Sequence, residues 1–197
     1  MIWRSRCAPN RSERDTGRLS VPARDDREGY PMRPSIPARG DRLHDFTATD
    51  LDGSIVSSRR FYLRANLLVV FTHEWPCRDC VRYLQELDHH RPALHAERCQ
   101  PLAVVPLGST LVVNWPEHSR PGFPVVLAEQ DELHRPHGFV DERGRPSAGI
   151  VLADDTATIW HVWETRNDHR FPDADDLLEW VRYVSYQCPE CWDRVEW

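Results

Sequence analysis

The sequence contains no lysine, and all 25 basic residues of the 197-residue chain are arginine. A GC-rich genome, which favours arginine codons, would produce this bias. Without lysine the chain has no amine for a Schiff base, no lysine general base and no P-loop lysine for phosphate binding. These classes of site are therefore excluded before any motif is considered.

Long apolar runs and an excess of positive charge are also missing. No run approaches the ~20 residues that span a bilayer, and the N-terminus has arginines but lacks the apolar segment of a signal peptide. The formal net charge of −6 argues against nucleic acid as the main partner, because phosphate binding requires a basic surface. We therefore expect a cytoplasmic protein with neither a membrane nor a nucleic acid as partner.

The N-terminal segment differs in composition from the rest of the chain. Residues 1–38 are rich in Arg, Asp, Ser and Pro without a hydrophobic period, which predicts a disordered tail. The only methionines are Met1 and Met32, so residues 1–31 are either a flexible tail or the result of a start codon assigned too early. One domain, residues 39–197, is expected to follow, and it ends in a Cys-Pro-Glu-Cys tail.

Alternating strand and helix patterns predict an α/β domain with a mixed sheet. The predicted extended pieces are two within 46–56, buried strands over 67–72 and 102–107, one over 123–127, and a hairpin of 150–153 and 158–162. The predicted helices cover 79–90, where Pro92 ends the helix, a short stretch from Ser109, and a polar stretch over 130–137. A last helix opens at Pro172-Asp173. On the second hairpin strand, the odd spacing of Trp160 and Trp163 predicts side chains on opposite faces.

Cys77 and Cys80 stand where the first buried strand gives way to the first long helix. Backbone N–H groups and the helix dipole stabilise an anion at such a place, so a thiolate at Cys77 should be favoured and reactive at neutral pH. Cys80 follows at a spacing that allows a disulfide. The pattern predicts a dithiol–disulfide redox site in which Cys77 is the nucleophile and Cys80 resolves the mixed disulfide. His73 and Trp75 are candidates to shape this site, with His73 as a proton shuttle near neutral pH.

A second pair, Cys188 and Cys191, lies at the C-terminus. Cys188 continues the apolar stripe of the last helix, and it could simply be a buried hydrophobic residue. The pair could also be an auxiliary dithiol that exchanges with Cys77 and Cys80, or a local structural or regulatory disulfide. A fourth interpretation places Zn²⁺ between the two Cys-x-x-Cys pairs. Apart from this possible zinc, no cofactor is expected.

From Gly40 to about Cys191 the sequence resembles the thioredoxin-fold redoxins of the alkyl hydroperoxide reductase/thiol-specific antioxidant group. The resemblance is carried by Gly40-Asp41, Asp45-Phe46-Thr47, Asp50-Leu51-Asp52-Gly53, Cys77-x-x-Cys80 and Phe123-Pro124-Val125-Val126-Leu127. It implies a thioredoxin-like fold, with a central mixed β-sheet flanked by helices. It also implies a loop proline that faces the cysteines, for which Pro146 is the candidate. Thioredoxins usually have Trp-Cys-Gly-Pro-Cys, whereas here Pro76 separates the tryptophan from the first cysteine.

The sequence departs from the peroxidases of this group. These place Thr or Ser three residues before the peroxide-reactive cysteine, with Pro four residues before that. The corresponding residues are Glu74 and Val70 for Cys77, and Cys77 and His73 for Cys80. The missing Pro/Thr frame favours disulfide exchange over peroxide reduction.

Three functions therefore remain open. The first is a thiol-disulfide oxidoreductase, and the second is a peroxiredoxin-like thiol peroxidase with an antioxidant role. The third is a non-catalytic thioredoxin-like module that senses redox state or binds zinc. For the two enzymes we expect a protein or small-molecule disulfide or peroxide as substrate. The expected reducing partner is a thioredoxin or a low-molecular-weight thiol.

Overall fold

A seven-stranded mixed sheet forms the centre of the fold. This computed structural model describes residues 34–73, 77–107, 120–129, 131–166 and 170–187. Its strands are β1 (Thr47–Asp50), β2 (Ile55–Ser57), β3 (Asn66–Phe71), β4 (Cys99–Leu107), β5 (Val125–Glu129), β6 (Ala148–Ala153) and β7 (Ile159–Arg166), its helices are α1 (Arg78–Ala96) and α2 (Ala174–Ser185), and a 3₁₀ turn covers Ser58–Phe61. The prediction of a tail falls largely on residues 1–33, and that of a short helix from Ser109 on 108–119; both ranges lie outside the described residues.

The strand order is β2-β1-β5-β4-β3-β6-β7. Strands β3, β4 and β5 run parallel, whereas β6 pairs with β3, and β1 with β5, in antiparallel fashion. Every residue of β3 is buried, as the unbroken apolar run predicts for a central strand covered on both faces. The mixed α/β sheet of the thioredoxin-like fold is thus confirmed.

The two faces of the sheet are covered by different kinds of structure. Leu68 and Val70 of β3 pack with α1 and α2, which lie on the same face. Leu67 and Val69 point to the other face, where residues from the segment before β1 and from the segment between β5 and β6 close the core. The alternation of strand side chains divides the core in this way.

Helix α1 continues past Pro92, so the prediction that it ends there was wrong. Proline removes one backbone donor and the bond to the carbonyl four residues earlier. The helix nevertheless runs to Ala96, because its last turn carries Leu94, which is fully buried in the core against the sheet. Burial of a leucine contributes roughly 1.5–3 kcal/mol, which offsets much of the cost of the proline.

Other elements differ from prediction in smaller ways. Residues 131–138 form successive turns instead of a helical stretch, since Pro136 has no N–H to donate and Gly138 adopts φ +76°. Helix α2 begins as predicted, with the Asp173 carboxylate accepting a bond from the Asp175 N–H at 2.9 Å. It ends at Ser185, and the predicted continuation of its apolar stripe to Cys188 lies outside the described residues.

Trp160 and Trp163 both face α2, contrary to the prediction of opposite faces. Trp160 contacts Tyr183, and Trp163 contacts Trp180. The register between β6 and β7 shifts at Leu152 and Ala153. A bulge of this kind adds one residue to a strand and reverses the alternation beyond it.

No helix in the described ranges is long and apolar enough to cross a bilayer.

Candidate active site

The carboxyl end of β3 is fixed by three hydrogen bonds around Thr72. Its backbone N–H and its hydroxyl both donate to the carbonyl of Val104, at 3.0 and 3.2 Å. Its own carbonyl accepts a bond from Nε2 of the buried His134, at 2.7 Å. These bonds hold the backbone immediately before His73, and so they set where the His73 side chain can lie.

Cys77 and Cys80 are positioned by the start of α1, as the sequence predicts. Cys77 is the N-cap residue and is partly exposed, and its carbonyl accepts a bond from the Val81 N–H at 3.1 Å. Cys80 lies in the first turn and has no accessible surface. Both thiols are reduced. The pair therefore presents one cysteine to solvent and keeps the other inside the core.

The strand end and the helix start bring three side chains together. One ligand-type atom each from His73, Cys77 and Cys80 lies within 4.8 Å of the other two. The Sγ atom of Cys80 is 3.3 Å from Nδ1 of His73, which is hydrogen-bonding distance for sulfur. We refer to these three residues as the dithiol site.

Burial sets the protonation of Cys80. Loss of solvent raises the pKa of its thiol, and the neighbouring Cys77 raises it further, while a hydrogen bond at His73 acts in the opposite direction. Cys80 is therefore a neutral thiol at pH 7. On the exposed side of the helix, Asp79 is paired with Arg82 at 2.9 Å. This pairing screens the Asp79 charge, which also raises the pKa of Cys80.

Several predicted site residues are not brought into the dithiol site by the described structure. Trp75, Pro76, Cys188 and Cys191 lie outside the described residues. Pro146 is partly exposed and forms an isolated bridge with Val140 just before β6. Strand β6 pairs Gly149 with Phe71, so Pro146 belongs to the chain approaching the same end of the sheet. Its role as the proline facing the cysteines stays a prediction.

The sequence did not identify two buried histidines behind this strand end, His134 and His137. Burial lowers the pKa of each to about 4, so both are neutral at pH 7. Their rings lie against Phe71, with centroids 5.3 and 4.9 Å away. Both come from the 130–137 segment that we predicted as polar and helical, where nothing in the spacing signals burial.

The third cysteine in the described ranges, Cys99, is separate from this site. It is buried at the start of β4, where it pairs with Asn66 at the other end of β3. A surface cavity of about 330 Å³, lined by Leu67, Arg42 and Asp155 among others, also opens at that far end. Neither feature takes part in the chemistry of the dithiol.

Comparison with known proteins agrees with this fold. Residues 39–162 match the model of the AhpC/TSA family. No curated protein matches the sequence significantly.

Among solved structures, the chain is similar to AhpC of Mycobacterium tuberculosis, with a TM-score of 0.66 and 15% identity over 80% of this chain and 99% of that one. A thiol peroxidase from Chromobacterium violaceum has a TM-score of 0.59 and 20% identity over 76% and 89% of the two chains. A structure described as a putative thiol:disulfide interchange protein DsbE from Chlorobium tepidum has a TM-score of 0.61 and 18% identity over 77% and 99%. At these identities the likeness shows a shared fold.

The family match covers more than half of the sequence, including β3, the dithiol site, β6 and the first part of β7. The chain therefore belongs to the AhpC/TSA family and is a redox enzyme, of the thiol peroxidase or thiol oxidoreductase kind.

Proposed function

We propose that the protein is a thiol-disulfide oxidoreductase in which Cys77 attacks and Cys80 resolves. One observation carries the proposal: a partly exposed Cys77 lies beside a fully buried Cys80 whose sulfur contacts an imidazole nitrogen. An exposed thiol at a helix start can attack a substrate disulfide. A buried thiol can attack only the mixed disulfide that has formed on the neighbouring cysteine.

In the first step the Cys77 thiolate attacks one sulfur of the substrate disulfide. A bond forms between that sulfur and Cys77, the substrate S–S bond breaks, and the second substrate sulfur leaves as a thiolate that takes up a proton. The product is a mixed disulfide on Cys77. Cys77 is the N-cap residue of α1, and the partial positive charge at a helix start favours an anion there.

In the second step Cys80 must lose its proton inside the core. Nδ1 of His73, 3.3 Å from the sulfur, can accept it. The Cys80 sulfur then attacks Cys77, and the remaining substrate thiolate leaves and takes a proton in turn. The substrate gains two electrons and two protons, and the dithiol becomes a disulfide. A thioredoxin or a low-molecular-weight thiol would reduce it again.

Peroxide reduction is the second candidate function, and the family match favours it. In that reaction the Cys77 thiolate would attack a peroxide oxygen, release water or an alcohol, and leave a sulfenic acid for Cys80 or the C-terminal pair to resolve. The absence of a Thr or Ser three residues before Cys77, where the chain has Glu74, is the reason we rank it second.

The proposal includes a reducing, cytoplasmic location and an auxiliary role for Cys188 and Cys191. Two Cys-x-x-Cys pairs in one chain suit catalytic exchange better than a structural disulfide framework. If the C-terminal pair relays electrons, replacing both cysteines with serine leaves the first exchange step intact and slows repeated turnover.

Steady-state reduction of a model protein disulfide tests the proposal. Cys77→Ser and Cys80→Ser should each abolish turnover, while Cys99→Ser, at the start of β4, should retain it. Full turnover by Cys80→Ser would show that the second thiol is not needed, and it would contradict the proposed pathway.

A further inference from the structure

The dithiol site combines the two ligand types that thiophilic metals use most, thiolate sulfur and imidazole nitrogen. Within the described residues, His73, Cys77 and Cys80 form the only cluster of three or more His, Cys, Asp or Glu side chains whose ligand atoms converge in this way. The dithiol chemistry requires both sulfurs. Because His73 can place a nitrogen on the same ion as the two sulfurs, the redox pair gains a third metal ligand.

We propose that the reduced protein binds one Zn²⁺ through His73, Cys77 and Cys80, with the fourth position open to solvent. This site differs from one built on the two Cys-x-x-Cys pairs, because its third ligand is an imidazole already in contact with Cys80. It needs no contribution from the C-terminal tail.

The distances suit zinc. With Zn–S bonds of about 2.3 Å and Zn–N bonds of about 2.0–2.1 Å, a tetrahedral centre places a sulfur and a nitrogen about 3.6 Å apart. Nδ1 of His73 and Sγ of Cys80 are 3.3 Å apart, and all three ligand atoms lie within 4.8 Å of one another. Small side-chain rotations would bring them onto one ion.

Charge balance selects Zn²⁺ over Cu⁺. Two thiolates and a neutral imidazole leave a neutral centre around Zn²⁺, but they leave a net negative charge around Cu⁺. Because Cys80 is fully buried, an uncompensated charge at its sulfur would be costly. The neighbouring pair of Asp79 and Arg82 adds no net charge beside the site.

The remaining coordination position is left for a ligand from solution. Cys77 is partly exposed at the helix start, so a water molecule or a thiol from solution can complete the tetrahedron. Binding releases the two thiol protons. Oxidation by a disulfide substrate removes two electrons from the pair and leaves no thiolate to hold the ion. Zinc occupancy therefore reports the redox state of the dithiol.

One consequence rests on the proposed function. A zinc ion that holds Cys77 blocks its attack on disulfides, so zinc should inhibit exchange reversibly. Metal binding itself does not depend on catalysis, and the two can fail separately. A protein that binds zinc but has no exchange activity would sink the proposed function and leave the metal site standing.

The test uses the full-length protein, reduced, freed of metal by chelation and titrated with Co²⁺ and then Zn²⁺. We expect one Co²⁺ per chain, with intense visible bands of tetrahedral geometry and thiolate charge-transfer bands in the near ultraviolet. His73→Ala should weaken Zn²⁺ binding by more than the roughly tenfold that losing even an outer-shell contact costs. The exposed His89, on α1, offers the matched control His89→Ala, which should bind like the wild type.

A second comparison separates this site from a four-cysteine site. Cys188→Ser/Cys191→Ser should keep the affinity and the Co²⁺ spectrum, whereas Cys77→Ala and Cys80→Ala should each lose the thiolate bands. Circular dichroism of each variant confirms folding, and the wild-type spectrum tests the ligand set without any substitution. Absence of a tetrahedral Co²⁺ spectrum, or unchanged zinc affinity in His73→Ala, would overturn the proposal.

Discussion

The Nδ1 atom of His73 lies 3.3 Å from the Sγ atom of Cys80, which follows seven residues later in the chain. The first residue is held by the end of a central strand and the second by the first turn of a helix. Cys80 has no access to water, and this nitrogen lies within hydrogen-bonding distance of its sulfur, where it can accept the proton. The histidine can therefore deprotonate the buried, neutral Cys80 thiol when it attacks the mixed disulfide on Cys77.

Removing that acceptor should slow the second chemical step. In His73→Ala we expect resolution of the mixed disulfide to fall about 10²-fold, the lower range for loss of a general base. Alkylation of the partly exposed Cys77 should change much less, because its stabilisation comes from the start of α1. Rapid-quench mass spectrometry of the mixed disulfide measures the step, and His89→Ala is the control. Equal resolution rates in the two variants would remove His73 from the mechanism.

Peroxide should be a poor substrate. Cys77 lacks the Pro/Thr frame that orients peroxide in the peroxidases of the family, so we expect it to react with hydrogen peroxide at about the rate of an ordinary thiolate. Stopped-flow fluorescence or competition kinetics measures the rate. A value many orders of magnitude above that of free cysteine would promote thiol peroxidase to the first position.

The order of strands and helices could be predicted because each has a clear local signal. Strand β3 is a continuous apolar run, and the β6–β7 hairpin turns at Asp154 and Asp155. In that turn Asp154 accepts bonds from the backbone of Thr156 and from the indole of Trp160. Cys77 at the helix start was predictable for the same reason, since strand and helix patterns meet there.

Features that depend on contacts between distant segments could not be predicted. Leu94 keeps α1 helical past Pro92 only because the sheet buries it. The bulge that turns Trp160 and Trp163 to one face arises from the pairing of β6 with β7. His134 reads as polar in sequence, yet it is buried because the segment before β6 folds back to bond Thr72.

The buried histidines should make the protein sensitive to mild acid. Burial lowers the pKa of each from the ordinary 6.5 of histidine to about 4 in the folded chain. Between these values the unfolded chain takes up protons and the folded one does not, so stability is complete above pH 6.5 and falls as the pH drops towards 4. The loss reaches about 3 kcal/mol per histidine.

Urea unfolding at pH 7, 6 and 5 measures this loss. Beyond burial, the groups facing the two rings act in opposite directions. The charge of His44 lowers the pKa of His137 while a backbone hydrogen bond at His44 raises it, and the charge of His137 lowers the pKa of His134 while that of Asp131 raises it. The His137→Phe variant lacks one of the two proton acceptors, so its free energy of unfolding should fall less steeply between pH 7 and pH 5. The His89→Ala variant should show the same pH dependence as the wild type. Burial raises the pKa of the Asp141 carboxyl, but hydrogen bonds from Arg145 and Arg143 outweigh it and hold the pKa below 3.8. Its contribution to the free energy of unfolding is therefore lost only in stronger acid. Stability independent of pH from 7 to 5 would contradict burial of neutral histidines.

Truncation should show that residues 1–31 are dispensable, whereas the segment around Ile36 packs on the domain. A chain that begins at Met32 should keep its melting temperature and thiol reactivity, because the removed residues have no apolar pattern with which to dock. Removing residues 1–38 should lower the melting temperature. A Cβ placed at Gly138 would lie 2.6 Å from Cα of Ile36, so the backbone there packs closely. A clear drop on removing residues 1–31 alone would show that they also pack on the domain.

Trapping the mixed disulfide tests the central claim, that Cys77 attacks and Cys80 resolves. Each single Cys→Ser variant of the dithiol is incubated with a model disulfide, and the attached sulfur is located by peptide mass spectrometry. We expect Cys80→Ser to accumulate a mixed disulfide at Cys77, and Cys77→Ser to accumulate none at the buried Cys80. Capture at Cys80 in the Cys77→Ser variant, with none at Cys77 in its counterpart, would contradict the assignment and exchange the two roles.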